Sequence, residues 1–461
     1  MKKILIYIGC FLFSFNIFSQ QIITLDKCRE MAVENSKQQQ IASQTTQKQK
    51  YEYKSYKANF FPDFSAAGSY MYTSKKINYN VDGGYLPTFV PDESGNMIPN
   101  ILTTLPDGSP VFKEYAYFPG LDFNIDPRRS YFGGIKVEQP IYMGGKILAS
   151  TKMASIGTDI AQLNEKLTKQ DVIVKADEAY WNLVRAKEMV IAVIKYKDVI
   201  EELYRNVNNA VNVGKIHKND ALKVRVKLNE AKLNLLRANN AQHLASMNLC
   251  YVVGLPMTTL VDVEDSDSKS ISIPENYDIT ARPEYQMLSK QIDLKKQQSK
   301  LIRSDYLPNA GIMAMYGYMN GLKINGDKVF DNANFAAMLS VNIPLFHWGE
   351  GRNKINAAKA EQKIAELKRS DIEQQLILEI NQVHNALVES QMEVELTKSS
   401  LEQAEENMRD SENLYKVGKV TLADYLESQT SWQKAWAESI NAKASFKLNE
   451  TKYLKAIGEL Q

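Results

Sequence analysis

The sequence predicts a mainly α-helical protein with a small β part, in which one half of the chain duplicates the other. Turn-forming residues recur at a constant spacing of 204 residues. Two long runs without proline keep helical periodicity, and four short segments alternate between apolar and polar side chains. We therefore expect long antiparallel helical hairpins together with four strands per chain.

The duplication is visible in residues that typically begin or end secondary-structure elements. A spacing of 204 residues separates the members of each of these pairs, so the repeat needs no gap: Pro140 and Pro344, Gly145 and Gly349, Val213-Gly214-Lys215 and Val417-Gly418-Lys419, Asp220 and Asp424, Leu222 and Leu426, Gly254 and Gly458. A repeat longer than about 100 residues is a duplicated half-protein rather than a short solenoid unit. We assign residues 21–254 to a first repeat, 255–283 to a polar linker and 284–461 to a second repeat.

Residues 1–20 predict a secretory signal peptide, because two lysines precede an apolar run that ends in small or polar residues. After this leader no run of about 18 apolar residues occurs, so the sequence predicts no membrane-spanning helix. A transmembrane β-barrel has to be considered separately, because its alternating signal is weaker per segment.

Composition and motifs argue against several classes of function. Removing Lys2 and Lys3 from the 56 basic residues leaves 54, which balance 54 acidic residues; nucleic-acid binders are usually basic. We find no zinc-protease, P-loop, nucleophile-elbow or paired-cysteine motif, so we expect no enzyme, no cofactor and no metal site. Cys28 and Cys250 fit either a disulfide or two buried thiols, and we favour the buried thiols.

The helical segments have matching lengths. Thr24 is a typical N-cap, and the polar run from there to Asn59 predicts one helix of ~50 Å. A run from Lys146 to Asn212 predicts a helix of ~100 Å, which Gly214 ends, and a second helix of ~50 Å follows. The second half repeats this pattern. The two shorter helices placed end to end would match the long one, so we expect a helical wall.

Four segments have strand periodicity, in which alternate side chains share a face. They are Phe64 to Thr73, Tyr131 to Gln139, Ala310 to Met319 and Phe335 to Ile343. Between the first two lie seven of the 14 prolines, and the first half is 42 residues longer here than the second. We interpret residues 74–130 as a long, irregular extracellular loop, since loops tolerate insertions well.

In this order and register, the motifs resemble the TolC-like outer-membrane efflux proteins over essentially the whole processed chain. The segments that carry the resemblance are QPIYMGGK and IPLFHWGEG after two strands, the hairpin tips VGKIHKNDAL and VGKVTLADYLES, the helix ends YVVGLP and YLKAIGEL, and ARPEYQ at the start of the second half. Each motif is weak by itself, whereas the ordered set is specific.

The resemblance implies a homotrimer in the outer membrane, with its helical portion in the periplasm. Three chains would supply a 12-stranded transmembrane β-barrel, and their helices a trimeric α-barrel. The residues point the same way, because four strands are too few to close a barrel and open edges are forbidden in lipid. The implied function is a passive exit duct that works with a periplasmic adaptor protein and an inner-membrane transporter.

The resemblance also implies a periplasmic gate at the second hairpin tip. Asp424 and Glu427 match acidic residues that ring the narrow entrance, and Asp220 is the matching acidic residue of the first half. Threefold symmetry would turn them into carboxylate rings, which favour cations. The alternative is purely local: Thr421 and Asp424 have the spacing of a helix-capping pair. Both roles are compatible.

Tyr415 matches a tyrosine that latches the closed channel in the family. Val420 stands where the family has the partner arginine, and Lys416 and Lys419 are the nearby candidates to replace it. The residues that match the adaptor-contacting tips are Val213, Gly214, Lys215, Val417, Gly418 and Lys419. Their simpler interpretation is that glycine ends the helix and lysine solvates its C-terminus.

Two other functions are open at this point. The same fold serves as the outer-membrane component of a type I protein secretion system. A soluble periplasmic coiled-coil scaffold is the third hypothesis, although the four alternating segments argue against it, because a scaffold needs no strands. Loss of drug resistance or of a secreted protein in a deletion strain would separate the first two.

Overall fold

A computed structural model describes residues 21–264, 278–329 and 331–460. The predicted signal peptide and the middle of the predicted linker lie outside the described residues. The seven α-helices of the described part are α1 (Leu25–Asn35), α2 (Lys37–Ala58), α3 (Lys146–Asn212), α4 (Lys218–Val253), α5 (Pro283–Ser304), α6 (Glu350–Lys416) and α7 (Leu422–Ala456). Within these ranges no helix is both long and apolar enough to cross a membrane.

The strands are more numerous than the sequence predicts. In chain order the described strands are β1 (Gln21–Ile23), β2 (Asp63–Met71), β3 (Ile77–Val81), β4 (Gly84–Pro87), β5 (Phe89–Pro91), β6 (Met97–Pro99), β7 (Ile101–Thr104), β8 (Pro110–Phe112), β9 (Tyr115–Phe118), β10 (Leu121–Asp126), β11 (Ser130–Met143), β12 (Val261–Val263), β13 (Asn309–Asn320), β14 (Lys323–Ile324), β15 (Asp327–Lys328) and β16 (Asn332–Asn342). The four predicted strands correspond to β2, β11, β13 and β16.

The chain divides into two compact units. The helical unit holds the described residues up to Lys54, Thr151–Ser299 and the described residues from Asn356 onward. The β-rich unit holds Ser55–Ser150 and Lys300–Ile355. The two long helices α3 and α6 have 67 residues each, and the returning helices α4 and α7 have 36 and 35, so the duplication extends to helix length.

The opening helix differs from the prediction. Thr24 does cap α1, because its side chain accepts a hydrogen bond from the backbone N–H of Lys27. The predicted single helix to Asn59 is wrong at Ser36, which has an extended conformation (φ −61°, ψ 121°). The Ser36 N–H donates to Ala32, and its hydroxyl accepts from the N–H of Gln39. Serine therefore ends one helix and caps the next, as its local hydrogen bonding allows.

In the β-rich unit, β2, β11, β13 and β16 form an antiparallel sheet in that order. One row of its apolar face, taken across the four strands, is Ala66, Ile135, Tyr316 and Phe335. The adjacent row, on the other face, is Ser65, Lys136, Met315 and Ala336. On this more polar face Lys136 pairs with Glu138 at 2.8 Å. The register thus aligns the apolar residues of all four strands on one side.

Residues 74–130 are not the irregular loop that the sequence predicts. The hairpin pairs β3–β10, β4–β9, β5–β6 and β7–β8 run through this segment, and β10 also pairs with β14. Four of the prolines that suggested a loop are first or last residues of strands, namely Pro87, Pro91, Pro99 and Pro110. Proline is tolerated at these positions, because both strands of a two-stranded sheet are edge strands, on which an N–H is dispensable.

The core of the helical unit packs α1, α3 and α4 around the parallel pair β1–β12. Tyr180 and Trp181 lie at its centre with their rings edge to face at 5.5 Å. Cys28 and Cys250 belong to this core as free thiols, as we expected. Burial raises the pKa of the Cys28 thiol to about 12 and also raises that of Cys250.

A buried carboxylate on α3 forms hydrogen bonds with side chains of both α1 and α7. Asp177 is fully buried and accepts hydrogen bonds from Nε and Nη2 of Arg29, at 2.8 and 2.6 Å. The hydroxyl of Thr451 donates to the same carboxylate at 2.6 Å. Since a buried charge is tolerated only with such partners, this triad fixes the register of the three helices.

Candidate functional site

The two hairpin tips of the helical unit have the same backbone geometry. Gly214 and Gly418 each end a long helix in the left-handed conformation with φ 74°. The N–H of Lys215 donates to Ala210 at 2.9 Å, and the N–H of Lys419 donates to Leu414 at 2.8 Å. Glycine supplies the positive φ, and the bond across six residues closes a Schellman motif. The repeated Val-Gly-Lys sequence therefore encodes a sharp helix end.

The two return helices begin differently. At the second tip, the side chain of Thr421 accepts from the N–H of Asp424, and the Asp424 carboxylate accepts from the Thr421 N–H at 3.0 Å and hydroxyl at 2.7 Å. These hydrogen bonds lower the pKa of Asp424 below its ordinary value. At the first tip His217 occupies the N-cap position without a side-chain hydrogen bond. Of the two described tips, the second alone has a complete capping box.

Because the first tip lacks that box, its acidic residue has another partner. Asp220 accepts from Lys223 at 3.2 Å within the same helix, and its side chain is 29% exposed. Asp424 and Glu427 are exposed, and the described residues give Glu427 no hydrogen bond or ion pair. Of the three predicted gate carboxylates, Glu427 alone thus lacks a local structural role.

A stacked aromatic pair lies just beneath the second tip. The rings of Tyr415 on α6 and Tyr425 on α7 are 5.4 Å apart and nearly parallel, at 23°. Burial raises the pKa of Tyr425 to about 12; burial and then the carboxylate of Asp220 raise the pKa of Tyr415. Both phenols are therefore neutral hydrogen-bonding groups at neutral pH. In the first half, the corresponding positions hold Val211 and Ala221, so the stack belongs to the second tip alone.

The stack forms one wall of a cavity of about 590 Å³ between the two tips. Its apolar lining comes from α3 and from the turn residues Ile216 and Val420. Two carboxylates, Glu202 and Glu412, and two ammonium groups, Lys215 and Lys416, complete the lining. The cavity thus combines an apolar interior with charges of both signs.

The predicted tip residues occupy the exposed ends of the hairpins. Val213 and Val417 are 70% and 68% exposed, although valine is normally buried. Lys416 pairs with Glu412 at 2.7 Å, one turn earlier on its own helix, so the structure does not pair it with a gate carboxylate. Val420 lines the cavity instead of carrying a charge.

Sequence reasoning missed Tyr425, Glu202, Glu412 and the cavity itself. The available signal was the second tyrosine, which stands seven residues after Gly418 while Tyr415 stands three residues before it. Whether two such rings meet depends on the crossing of α6 and α7, and that crossing is a tertiary property. The part of the chain that the structure describes contains no group of three or more His, Cys, Asp or Glu that could hold a metal ion.

Comparisons with known proteins cover most of the chain. A family model described as outer membrane efflux protein matches residues 29–255 and 279–459. Outer membrane protein TolC of Escherichia coli (strain K12) is 20% identical over 363 residues, which cover 75% of this chain and 73% of TolC.

Solved structures share the fold. The Campylobacter jejuni CmeC outer membrane channel superposes with a TM-score of 0.73 at 18% identity, over 94% of this chain and 85% of CmeC. The Neisseria gonorrhoeae MtrE outer membrane channel, in its open state, gives a TM-score of 0.71 at 16% identity, over 95% of this chain and 89% of MtrE.

Proposed function

Because this chain belongs to the outer membrane efflux protein family, we propose that it is the outer-membrane channel of a tripartite efflux system. In this proposal residues 1–20 are a signal peptide that is removed, and the two repeats, 21–254 and 284–461, are joined by residues 255–283. Three copies form a passive duct, which carries substrates from an inner-membrane transporter and a periplasmic adaptor protein to the outside.

The observation that carries the proposal is the four-stranded sheet with its aligned apolar face. Its outer strands, β2 and β16, have no partner on their free edges within the described residues. Three antiparallel pairings separate them, so they run in opposite directions, and β16 of one copy can pair with β2 of the next. Lipid excludes open edges and four strands cannot close, whereas three copies supply a closed barrel of twelve.

The helical portion lies in the periplasm in this proposal, and its hairpin tips face the inner membrane. The exposed tip residues support a role as adaptor contacts, because exposed valines beside a lysine offer an apolar and a charged contact together. We assign this role to Val213, Gly214, Lys215, Val417, Gly418 and Lys419. The cavity between the tips offers such a partner a concave surface.

The gate is assigned to Asp424, Glu427, Tyr415 and Asp220. In a trimer the exposed carboxylates of Asp424 and Glu427 would recur three times around the axis and favour cations. The stack of Tyr415 on Tyr425 supports a latch of a different kind from the family's arginine contact, because it holds α6 to α7 through aromatic packing. Such a pair adds about 0.5–1.5 kcal/mol beyond the burial of its area.

The test is to purify the chain from outer membranes in mild detergent, measure its mass and record its conductance in planar bilayers. We expect a trimer with cation-selective conductance. A stably folded, monodisperse monomer would refute the channel. A deletion strain then distinguishes the cargo classes: drug sensitivity supports efflux, and loss of an exported protein supports type I secretion. The soluble scaffold is not retained, because the family is one of outer-membrane proteins.

A further inference from the structure

Residues 84–118 lie between β3 and β10 and extend the β-rich unit. We call this segment the distal ribbon. The strand order β3–β10–β14–β15 continues the order β2–β11–β13–β16 of the main sheet. The short hairpin β14–β15 turns at Asn325, whose N–H donates to Asn124 at 2.8 Å. From that level the segment between β3 and β10 continues alone: the two-stranded pair β4–β9 divides into two short successive hairpins, β5–β6 and β7–β8.

The distal ribbon exposes more apolar surface than a free ribbon should. Its most exposed large apolar side chains include Tyr85, Leu86, Phe89, Met97, Leu102 and Tyr117. None of its residues belongs to a buried hydrophobic cluster of the described chain. An isolated two-stranded hairpin is at best marginally stable, and large exposed apolar patches mark interaction sites. The ribbon therefore needs a covering surface.

The strand order indicates which surface is nearest. If β16 of one copy pairs with β2 of the next, then β15 of the first copy comes beside β3 of the second. The distal ribbon of each copy thus rises beside the short hairpin, residues 321–329, of a neighbouring copy. Charge agrees: residues 84–118 contain four acidic residues and one lysine. The short hairpin carries two lysines and one aspartate, Lys323, Lys328 and Asp327. Lys328 pairs with Asp331, whereas the exposed Lys323 has no ion pair among the described residues.

Resting on the proposed homotrimer, we infer that the distal ribbon packs across the short hairpin of a second copy and holds the three chains together at the outer mouth. The contact uses side chains rather than a shared ladder, because Pro87, Pro91, Pro99 and Pro110 remove N–H donors from the ribbon's strands. The partner is another copy of this chain, and its function is to stabilise the assembly outside the membrane.

The ribbon can be removed cleanly at its base. Gly120 has φ +73°, and a Cβ there would lie 2.7 Å from the carbonyl oxygen of Val81 and 2.8 Å from the nitrogen of Gly83. Gly83 and Gly120 are therefore close in space, and deleting residues 84–119 joins them directly. It leaves the loop Asp82-Gly83-Gly120 between Val81 and Leu121, which are already paired. Three-residue hairpin loops with glycine are common.

The test compares the temperature at which detergent-solubilised trimers dissociate, using the full chain and three variants. We expect the deletion of 84–119 to lower that temperature by ~4 °C or more while trimers still form. The triple substitution Leu86→Ser, Met97→Ser, Leu102→Ser should lower it in the same direction. The matched control Thr103→Ser, Thr104→Ser changes exposed polar residues of the same ribbon and should not.

The outcomes are distinguishable. If trimers of the deletion and triple-serine variants dissociate at the wild-type temperature, the ribbon contact is refuted and the channel proposal stands; the apolar surface then faces lipid headgroups or another protein. If the deletion lowers the temperature but the serine variant does not, the apolar contact is refuted. A monomeric wild-type protein would refute both proposals.

Discussion

Gly254 and Gly418 both end a helix with a positive φ, but their surroundings differ. A Cβ on Gly254 would lie 2.4 Å from Cβ of Asn35, which is held in place because its amide donates to Val253 and Met31. A Cβ on Gly418 would meet nothing within 4 Å. Backbone strain is therefore common to both sites, and steric overlap is specific to the first.

We expect Gly254→Ala to destabilise the helical unit by about 2–4 kcal/mol, since overpacking adds to the cost of a left-handed alanine. Gly418→Ala should cost only about 1–2 kcal/mol. The midpoints of thermal unfolding, followed by circular dichroism on purified protein, show which variant is less stable. Equal unfolding temperatures for the two variants would show that the Asn35 side chain moves aside at little cost and that its contact with residue 254 adds no strain.

The buried thiols give a second prediction. The raised pKa values of Cys28 and Cys250 keep both sulfurs protonated at neutral pH, and only the thiolate is a good nucleophile. We expect neither to react with a maleimide in the folded protein, whereas both react after denaturation without a reductant. Val213→Cys, at an exposed tip, is the control and should react at once. Labelling that appears only after reduction would reveal a disulfide.

Among the helices, the start of α7 tests the gate most sharply. Glu427→Gln should shift the reversal potential in a salt gradient toward zero, because it removes a carboxylate that we propose lies at the channel entrance, and should leave thermal stability unchanged. Asp424→Asn should change both quantities, since the capping box with Thr421 is lost as well. Bilayer recordings and circular dichroism on the same preparations provide the comparison. If Glu427→Gln leaves the ion selectivity unchanged, Glu427 does not lie at the channel entrance.

Lowering the pH should act on the same cap in a defined direction. The hydrogen bonds from Thr421 lower the pKa of Asp424, so the cap contributes its stability above the ordinary aspartate pKa. That contribution declines as the pH falls below the ordinary value, and it is fully lost once the pH has fallen through the lower, folded-state value. Wild type and Asp424→Asn should therefore differ in thermal stability at neutral pH and converge in strong acid. A constant difference would contradict the assignment.

Helices and main strands were predictable from the sequence because each has a local cause. Gly214 and Thr421 end and begin helices through their own backbone and side-chain chemistry. The break at Ser36 was missed, because the surrounding residues all favour helix and one serine decides between capping and continuing. The ribbon was missed because its prolines, typical of loops, are equally compatible with strand ends.

The site was predictable to a lesser extent. The tips follow from the Val-Gly-Lys repeat, since a glycine-ended helix needs no tertiary contact. The stack of Tyr415 on Tyr425 and the cavity beside it depend on how four helix ends meet, and no spacing in one helix encodes that meeting. The buried triad around Asp177 is similar, because its members are 148 and 274 residues away along the chain.

For the assembled molecule, the apolar face of the main sheet makes a prediction about membrane insertion. Leu339 lies on that face and its neighbour Ser340 on the opposite one. We expect Leu339→Lys to reduce the amount of trimer in the outer membrane, because a lysine toward lipid costs about 2–4 kcal/mol near the midplane, once per copy. Ser340→Lys should be tolerated. Cell fractionation measures the amount of trimer in the outer membrane for both variants. An equal loss of trimer in the two would contradict the assignment of the apolar face alone to lipid.

The matched lengths of α3 and α6 restrict how this protein can change in evolution or by design. The two 67-residue helices deliver their tips to the same place, where Tyr415, Tyr425 and the walls of the cavity meet. Seven residues added to one helix would displace its tip by ~10 Å and separate those partners. A longer or shorter version of the proposed duct is therefore reachable only by inserting or deleting whole turns in both halves together.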